Sequence, residues 1–136
     1  MQRLFSFLLT ALLVTSCKEA IENAKEDAVI KAMTEGQWKV SNYQKGNTDA
    51  TSSFTGYLFQ FHKDQRVDAL KNSAVEKTGT WLGDGTNFTI QASFSNVAEP
   101  LILLNGTWQI KKTTWTSVDA IQSVNGEQRV LRLDKQ

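Results

Sequence analysis

The sequence predicts an all-β fold, an antiparallel up-and-down meander of about eight strands that forms a barrel, preceded by a short N-terminal helix. From Gly36 onward, apolar and polar residues alternate with a period of two, which is typical of strands with one buried face. Short connections containing Gly, Asn and Asp separate these segments, as in hairpins. A length of 136 residues, 40% of them hydrophobic and 21% charged, fits one globular domain.

The N-terminal segment has the pattern of a secretory signal. Residues 1–16 read MQRLFSFLLTALLVTS, with Arg3 followed by a mostly apolar stretch from Leu4 to Val14. This stretch has the length of a signal-peptide core and is shorter than the ~20 residues that span a bilayer. A buried helix is the alternative, but it would need a partner for a segment with no polar face. We therefore expect residues 1–16 to be a signal peptide.

The single cysteine follows this leader directly. Val14-Thr15-Ser16-Cys17 resembles the bacterial lipobox, in which an aliphatic residue, a small or β-branched residue, and Gly, Ala or Ser precede the cysteine. The resemblance implies cleavage before Cys17, diacylglycerol on its sulfur, and an acyl chain such as palmitate on its amine. A lone cysteine cannot form an internal disulfide, and no second thiolate exists for a metal site. Several acyl chains together give stable membrane anchoring.

The predicted location follows from this anchor. We expect a lipid-anchored protein of the bacterial cell envelope that sits on a membrane without spanning it. Lys18-Glu19 lacks the aspartate that favours inner-membrane retention in some bacteria, and it is similar to surface-export signals of others. This favours the outer membrane, on its periplasmic face or at the cell surface.

A helical spacer is predicted between the anchor and the barrel. Residues 19–33 read EAIENAKEDAVIKAM, and the less polar residues recur at spacings of three and four in a segment of good helix formers. Gly36 stands where a helix C-cap is expected. Residues 17–35 are therefore interpreted as a lipid-anchored helical spacer, and residues 36–136 as the barrel domain.

Turn chemistry divides the barrel domain into strands. Asn125-Gly126 is the clearest hairpin turn, because both residues tolerate positive φ, and Lys63-Asp64 and Gly83-Asp84-Gly85 mark further turns. The Lys111-Lys112 doublet is also interpreted as a turn. The predicted strands are 37–43, 56–62, 66–71, 76–82, 87–92, 101–111, 113–121 and 128–134.

One tripeptide recurs, as Gly36-Gln37-Trp38, Gly79-Thr80-Trp81 and Gly106-Thr107-Trp108. Its unequal spacing argues against a repeat array and favours a strand device, in which Gly permits close backbone approach and Trp fills the core. The first copy, followed by a meander, resembles the lipocalin family and the small lipocalin-like domains of bacterial lipoproteins. The segments that carry the resemblance are GQWKV, FTGYLFQF, TGTW, LLNGTWQI and RVLRLDKQ.

This resemblance implies a structural closure of the barrel around Gly36 and Trp38. In lipocalins the first-strand Trp packs at the closed end beneath an Arg from the last strand, as a cation–π pair. Here the Arg would be Arg129 or Arg132. Arg129 is the better candidate, because it shares strand parity with apolar residues that look inward-facing.

The barrel interior is the predicted ligand site. Eight-stranded barrels are either filled by their own side chains or hold one small ligand, and the sequence leaves both outcomes open. One hypothesis is therefore binding of a small apolar ligand. The other is a non-catalytic structural or interaction lipoprotein, with a filled barrel that binds an envelope protein or glycan. The predicted lining residues are Tyr57, Phe59, Phe61, Trp81, Phe88, Leu104 and Trp108.

Other functions find little support in the sequence. Without Arg3, basic and acidic side chains balance at 14 each, so the chain lacks the basic surplus of a nucleic-acid-binding protein. His62 is the single histidine, with Asp64 and Asp68 nearby, and is interpreted as a solvated strand-end residue rather than a metal ligand or a proton relay. No nucleophile motif is present. We therefore expect no enzymatic activity, no cofactor and no metal, and the sequence identifies no protein partner.

Overall fold

The structure is a computed structural model that describes residues 27–136. Helix α1 occupies residues 27–34 of this range and is followed by nine antiparallel strands. The predicted signal peptide, Cys17 and the first part of the predicted helix lie outside the described residues. The strands are β1 Trp38–Lys45, β2 Thr48–Asp49, β3 Tyr57–Phe61, β4 Arg66–Lys71, β5 Ala74–Asp84, β6 Thr89–Ser93, β7 Gly106–Thr113, β8 Ser117–Val124 and β9 Glu127–Lys135.

The strands form a closed barrel in meander order, which confirms the predicted fold class. Each strand from β3 to β9 pairs with the next, and β1 returns to pair with β9. This last ladder runs from Trp38 opposite Lys135 to Lys45 opposite Arg129. Strand β1 meets β3 at a single position, Trp38 opposite Phe59, and β2 is a short hairpin partner of β1 outside the ring. The long β1–β9 ladder therefore closes the barrel.

A bulge in β1 lets both halves of that strand contribute to the core. The register against β9 shifts between Val40 and Asn42, so the residues that face inward are Trp38 and Val40 before the bulge and Tyr43 after it. Ser41 occupies the bulge and donates its hydroxyl hydrogen bond to the Asp134 carboxylate. If inward and outward side chains alternated along β1 without a bulge, Tyr43 would point outward. With the bulge, Tyr43 is completely buried.

The Gly-x-Trp tripeptides act as the strand device that the sequence predicts. A Cβ at Gly79 would lie 2.5 Å from the Ser93 carbonyl oxygen, and one at Gly106 would lie 2.4 Å from the Gln122 amide nitrogen. The tryptophans that follow are buried, and each indole N–H donates to a backbone carbonyl oxygen outside the sheet ladders. The donor and acceptor pairs are Trp38 to Met33 (3.0 Å), Trp81 to His62 (2.8 Å) and Trp108 to Leu104 (2.9 Å).

The two ends of the barrel differ. The end formed by the C-terminus of β1 and the N-terminus of β7 is filled by loop side chains, and we call it the plugged end. There the Tyr43 hydroxyl donates to the Leu103 carbonyl oxygen at 2.7 Å. At the opposite end, the helix end, α1 packs over the barrel through Met33. The buried residues of the plug are Phe54, Phe94, Leu101, Leu103 and Leu104.

Three details of the predicted strands are wrong. Residues Leu101–Leu104 form a 3-10 helix instead of the start of a strand, because three of these four apolar residues are buried together in the plug, which alternation cannot achieve. Lys111-Lys112 lies within β7, and the turn falls at residues 114–116. Phe88 precedes β6 in a turn, where its φ is +53°. The Asp84 carboxylate accepts backbone hydrogen bonds from Thr86 and Asn87 and fixes that turn.

The hairpin turns show which local signals are reliable. Asn125 and Gly126 both have positive φ (51° and 80°), as the sequence predicts. Asn72 and Ser73 adopt the same pair of signs (49° and 71°) between β4 and β5, although Ser rarely signals such a turn.

Replacing Gly79 with Ala tests the close approach of β5 to Ser93. The added Cβ would collide with a backbone oxygen that the β5–β6 ladder holds in place, so we expect a loss of about 2–3 kcal/mol in the free energy of unfolding. Gly83→Ala on the same strand is the control, since its nearest atoms are side-chain carbons of Trp81 and Val29 at 3.1 Å, which can move. Urea denaturation measures both; equal losses would contradict the explanation.

Candidate binding site

The barrel interior is almost filled by its own side chains. Of the seven predicted lining residues, Phe59, Phe61, Leu104 and Trp108 surround an internal cavity of about 40 Å³. A water molecule needs roughly 10–15 Å³ measured in this way, so the cavity has room for one or a few waters and not for a lipid. The interior is therefore a hydrophobic core and not a ligand chamber.

Tyr57 and Trp81, the two other buried residues of the predicted lining, contact other side chains of the barrel. The Tyr57 ring lies at the plugged end beneath the Lys71 ammonium, 4.5 Å from the ring centroid. Its hydroxyl donates to the Glu76 carboxylate, and this bond, together with burial, raises the pKa of Tyr57 to about 12. Trp81 packs edge-on against Phe61, with ring centroids 5.2 Å apart.

A larger cavity opens at the helix end, and we call it the mouth cleft. It has a volume of about 430 Å³ and lies between α1, the β5–β6 turn and the β7–β8 turn. Ile90 and Val118 separate it from the core, since both also line the internal cavity. Its lining residues are Ala28, Val29, Ala32, Met33, Gly85, Phe88, Ile90, Ile110, Thr113, Thr114, Trp115 and Val118.

The chemistry of the mouth cleft is apolar. None of its lining side chains carries a charge. The polar side-chain groups are the Trp115 indole N–H and the threonine hydroxyls. Thr114 Oγ1 is already engaged, since it lies 2.9 Å from Ser117 Oγ and accepts the Ser117 backbone N–H at 3.1 Å. The volume falls in the range of small-molecule sites, which are mostly apolar and often occupy the mouths of β-barrels. The cleft can therefore hold an apolar group by excluding water from it.

Two aromatic side chains form the outer rim of the mouth cleft. Phe88 is 45% exposed and Trp115 is 56% exposed, each on a turn between strands. The predicted position of Phe88 inside the barrel is wrong, because the turn fixed by Asp84 carries Phe88 past the end of the sheet. No role was predicted for Trp115. An aromatic residue flanked by threonines, outside the Gly-x-Trp pattern, is the sequence signal that could have found it.

The helix is fixed to the barrel by Trp38 and Lys135. The Lys135 ammonium lies 4.9 Å from the Trp38 ring centroid and donates to the Ala32 carbonyl oxygen at 3.0 Å. The indole of Trp38 binds the next carbonyl, that of Met33. Both acceptors belong to the last turn of α1, whose carbonyls have no partners within the helix. Gly36 follows with a φ of +76°, and a Cβ at this position would lie 3.3 Å from the Lys135 side chain.

Arg129 does not take the role that the lipocalin resemblance implies. It has the predicted inward parity, with a side chain only 15% exposed, but it lies opposite Lys45 at the plugged end. There it pairs with Glu127 at 3.3 Å, and its charge partly offsets the burial that raises the pKa of Tyr43. Because β1 and β9 are antiparallel, the start of β1 meets the end of β9. Lys135, which shares the parity of Arg129, is therefore the cation at Trp38.

His62 belongs to a small polar cluster away from the mouth cleft. Its Nε2 lies 2.8 Å from the Asp68 carboxylate, which also accepts the Thr78 hydroxyl at 2.7 Å. The Thr78 bond first, and then the His62 bond, lower the pKa of Asp68. Asp64 pairs instead with Arg66 in the turn. Nowhere in residues 27–136 do three or more His, Cys, Asp or Glu side chains form a group that could hold a metal ion.

Comparisons with known proteins show the fold of this chain and not a function. No protein-family model matches it, and no curated protein does. Among solved structures, it is similar to a DUF4847 family protein from Bacteroides vulgatus, with a TM-score of 0.55 and 14% sequence identity. The match covers 79% of this chain and 99% of that protein. Across residues 27–136, no helix has the length and apolar character needed to cross a membrane.

Replacing Lys135 with Met tests the attachment of α1. We expect faster amide hydrogen exchange in residues 27–34, because the helix loses a cation–π contact and a carbonyl partner that together contribute about 1–2 kcal/mol. Arg129→Met, on the same face of β9 at the plugged end, is the control and should leave exchange in α1 unchanged. A similar acceleration in both variants would show that Lys135 has no special role.

Proposed function

We propose that this protein is a lipid-anchored protein of the bacterial cell envelope whose barrel binds a small apolar ligand in the mouth cleft. The observation that carries the ligand proposal is the cleft itself, about 430 Å³ of apolar space with two exposed aromatic rings at its rim. Monomeric proteins usually expose large aromatic side chains together only where something binds them. The proposed ligand site is therefore the mouth of the barrel, and not the interior that the sequence predicts.

The chemistry of the cleft restricts the ligand class. A charged group buried there would find no opposite charge among the lining residues, and unpaired burial of a charge is costly. A ligand with an apolar body is therefore favoured, such as an acyl chain or a compact hydrocarbon, with any polar end directed to water between Phe88 and Trp115. His62, the single histidine, is paired with Asp68 and lies outside the cleft lining, so we propose no catalytic role for the cleft.

The anchor proposal is supported by the sequence around Cys17. The apolar leader, the lipobox-like Val14-Thr15-Ser16-Cys17 and the absence of any second cysteine all favour lipidation over disulfide or metal chemistry. Lys18-Glu19 favours the outer membrane over the inner one. A lipid anchor would also bring the cleft close to a source of apolar molecules.

A second candidate function is a non-catalytic interaction lipoprotein, in which the barrel presents a surface to an envelope protein or glycan. The observation in its favour is the filled interior, whose cavity of about 40 Å³ holds no ligand of ordinary size. Under this alternative the mouth cleft would stay empty of small molecules.

Labelling with a radioactive fatty acid tests the anchor. The wild-type chain should incorporate label, and Cys17→Ser should lose it, because that thiol is the single site for thioether formation in the chain. Thr15→Ser is a suitable control, since it keeps a small hydroxyl residue in the lipobox and should preserve incorporation. Label retained by Cys17→Ser would contradict the anchor assignment.

Filling the mouth cleft tests the ligand site. In unlipidated protein lacking residues 1–16 and carrying Cys17→Ser, we expect the neutral probe N-phenyl-1-naphthylamine to bind with a rise in fluorescence. Ala28→Phe should weaken this binding about tenfold, because the added ring occupies the cleft. Ala74→Phe is the matched control, an exposed alanine at the plugged end.

The same titration separates the two candidate functions. Equal probe binding by Ala28→Phe and the wild type would contradict the mouth cleft as the ligand site. If the probe does not bind and native mass spectrometry detects no co-purified lipid, the interaction hypothesis replaces the ligand proposal.

A further inference from the structure

We infer that the helix end of the barrel docks directly on the lipid bilayer, with Phe88 and Trp115 in the interfacial layer and the mouth cleft open to the membrane. This inference rests on the proposed lipid anchor and extends it. The anchor would attach the protein to a membrane, but it would not by itself determine which face of the barrel the membrane meets. The arrangement of the described residues determines that face.

The position of the tether is the first argument. Asp27, where the described chain starts, lies ten positions after Cys17. This segment reaches about 35 Å when fully extended and about 15 Å when helical. The next residue, Ala28, lines the mouth cleft. The chain from an acylated Cys17 would therefore reach the barrel at the cleft edge, and with the helical spacer that the sequence predicts, the span of about 15 Å would keep that edge near the membrane.

The distribution of exposed apolar residues is the second argument. Phe88 and Trp115, the exposed aromatic residues of the described chain, both line the mouth cleft. Leu82, 47% exposed, lies on the outer face of β5 near the same end, whereas the exposed Val75 and Ile102 lie at the plugged end. Both exposed aromatic rings are therefore at the helix end, and the exposed apolar residues of the plugged end are aliphatic. Trp is enriched at membrane interfaces, where an apolar ring with one polar N–H suits the headgroup layer.

The charges near the rim fit the same surface. Lys111 and Lys112 are exposed and precede the Trp115 turn by a few residues. Near a bilayer that contains anionic lipid, each such lysine adds a favourable electrostatic contribution. The β5–β6 turn at the same rim also carries Asp84. The plugged end carries exposed acidic residues, Asp49 and Glu99, and Lys45 is paired with Glu99 there. Among residues 27–136, the exposed aromatic rings Phe88 and Trp115 lie at the helix end, and Lys111 and Lys112 are close to Trp115 in sequence.

Docking in this orientation gives the cleft a direct supply of ligand. An apolar molecule could pass from the acyl-chain region to the cleft between Phe88 and Trp115 without crossing water. The two rings would then serve both as membrane anchors and as the entrance to the site.

Tryptophan fluorescence can test this geometry in the lipidated protein. The other three tryptophans are buried. The difference in emission between the wild type and Trp115→Phe is therefore the Trp115 component. The protein is reconstituted into vesicles of phosphatidylcholine and phosphatidylglycerol, with or without bromine on the phosphatidylcholine acyl chains. If Trp115 enters the interface, brominated lipid should lower its component about twofold or more. Acrylamide, a quencher dissolved in water, should affect it little.

The matched control moves the exposed indole to the opposite end. In the double variant Trp115→Phe and Ile102→Trp, the new indole replaces a side chain that is 47% exposed on the plug. It should be quenched by acrylamide and not by bromine. Quenching of Trp115 by acrylamide alone would overturn the inference. Protection of Trp115 from both quenchers would also overturn it, since residues 17–26 or a second protein would then cover the rim.

Failure of the anchor gives a different result. If the chain purifies without acyl groups on Cys17, the proposed lipid anchor is wrong. The docking inference, which depends on that anchor, is then wrong as well. An acylated chain that floats with the vesicles but shows no bromine quenching would overturn docking alone.

Discussion

The contact of Trp38 and Lys135 with the C-terminus of α1 connects the three parts of the molecule that define its open end. Trp38 belongs to the first barrel strand and Lys135 to the last, and they stack where the long β1–β9 ladder closes the barrel. Together they bind the carbonyls of Ala32 and Met33, which the helix leaves without internal partners. The residues that close the sheet therefore also hold the helix in place, and the helix forms one wall of the mouth cleft.

The tryptophans explain why the large cavity lies outside the core. An indole buried in a small barrel fills most of the space that a ligand would use, and its N–H needs a partner. Trp38, Trp81 and Trp108 find those partners in carbonyls at the two ends of the barrel, so each both fills the interior and fixes an end segment. Trp115 lies outside this arrangement on an exposed turn and is free to contact other molecules.

The difference between the barrel ends determines which end has space for the proposed ligand. Phe54, Phe94 and the Leu101–Leu104 helix close the plugged end with apolar side chains of the chain itself. At the helix end, α1 covers only part of the opening and leaves the mouth cleft, because two of the four helix residues that line it, Ala28 and Ala32, are small. A larger residue at either position would complete the cover, which is the basis of the Ala28→Phe experiment.

The sequence by itself determined the all-β meander, the Gly-x-Trp device, the Asn125-Gly126 turn and the inward parity of β9, because these follow from period-two alternation and local turn chemistry. Only the tertiary structure decided which cation meets Trp38, since parity is the same at Arg129 and Lys135 and the register chooses between them. It also decided that the interior is filled and that Phe88 lies at the rim. Cavity volume and turn position depend on how all the strands pack together, which no single segment encodes.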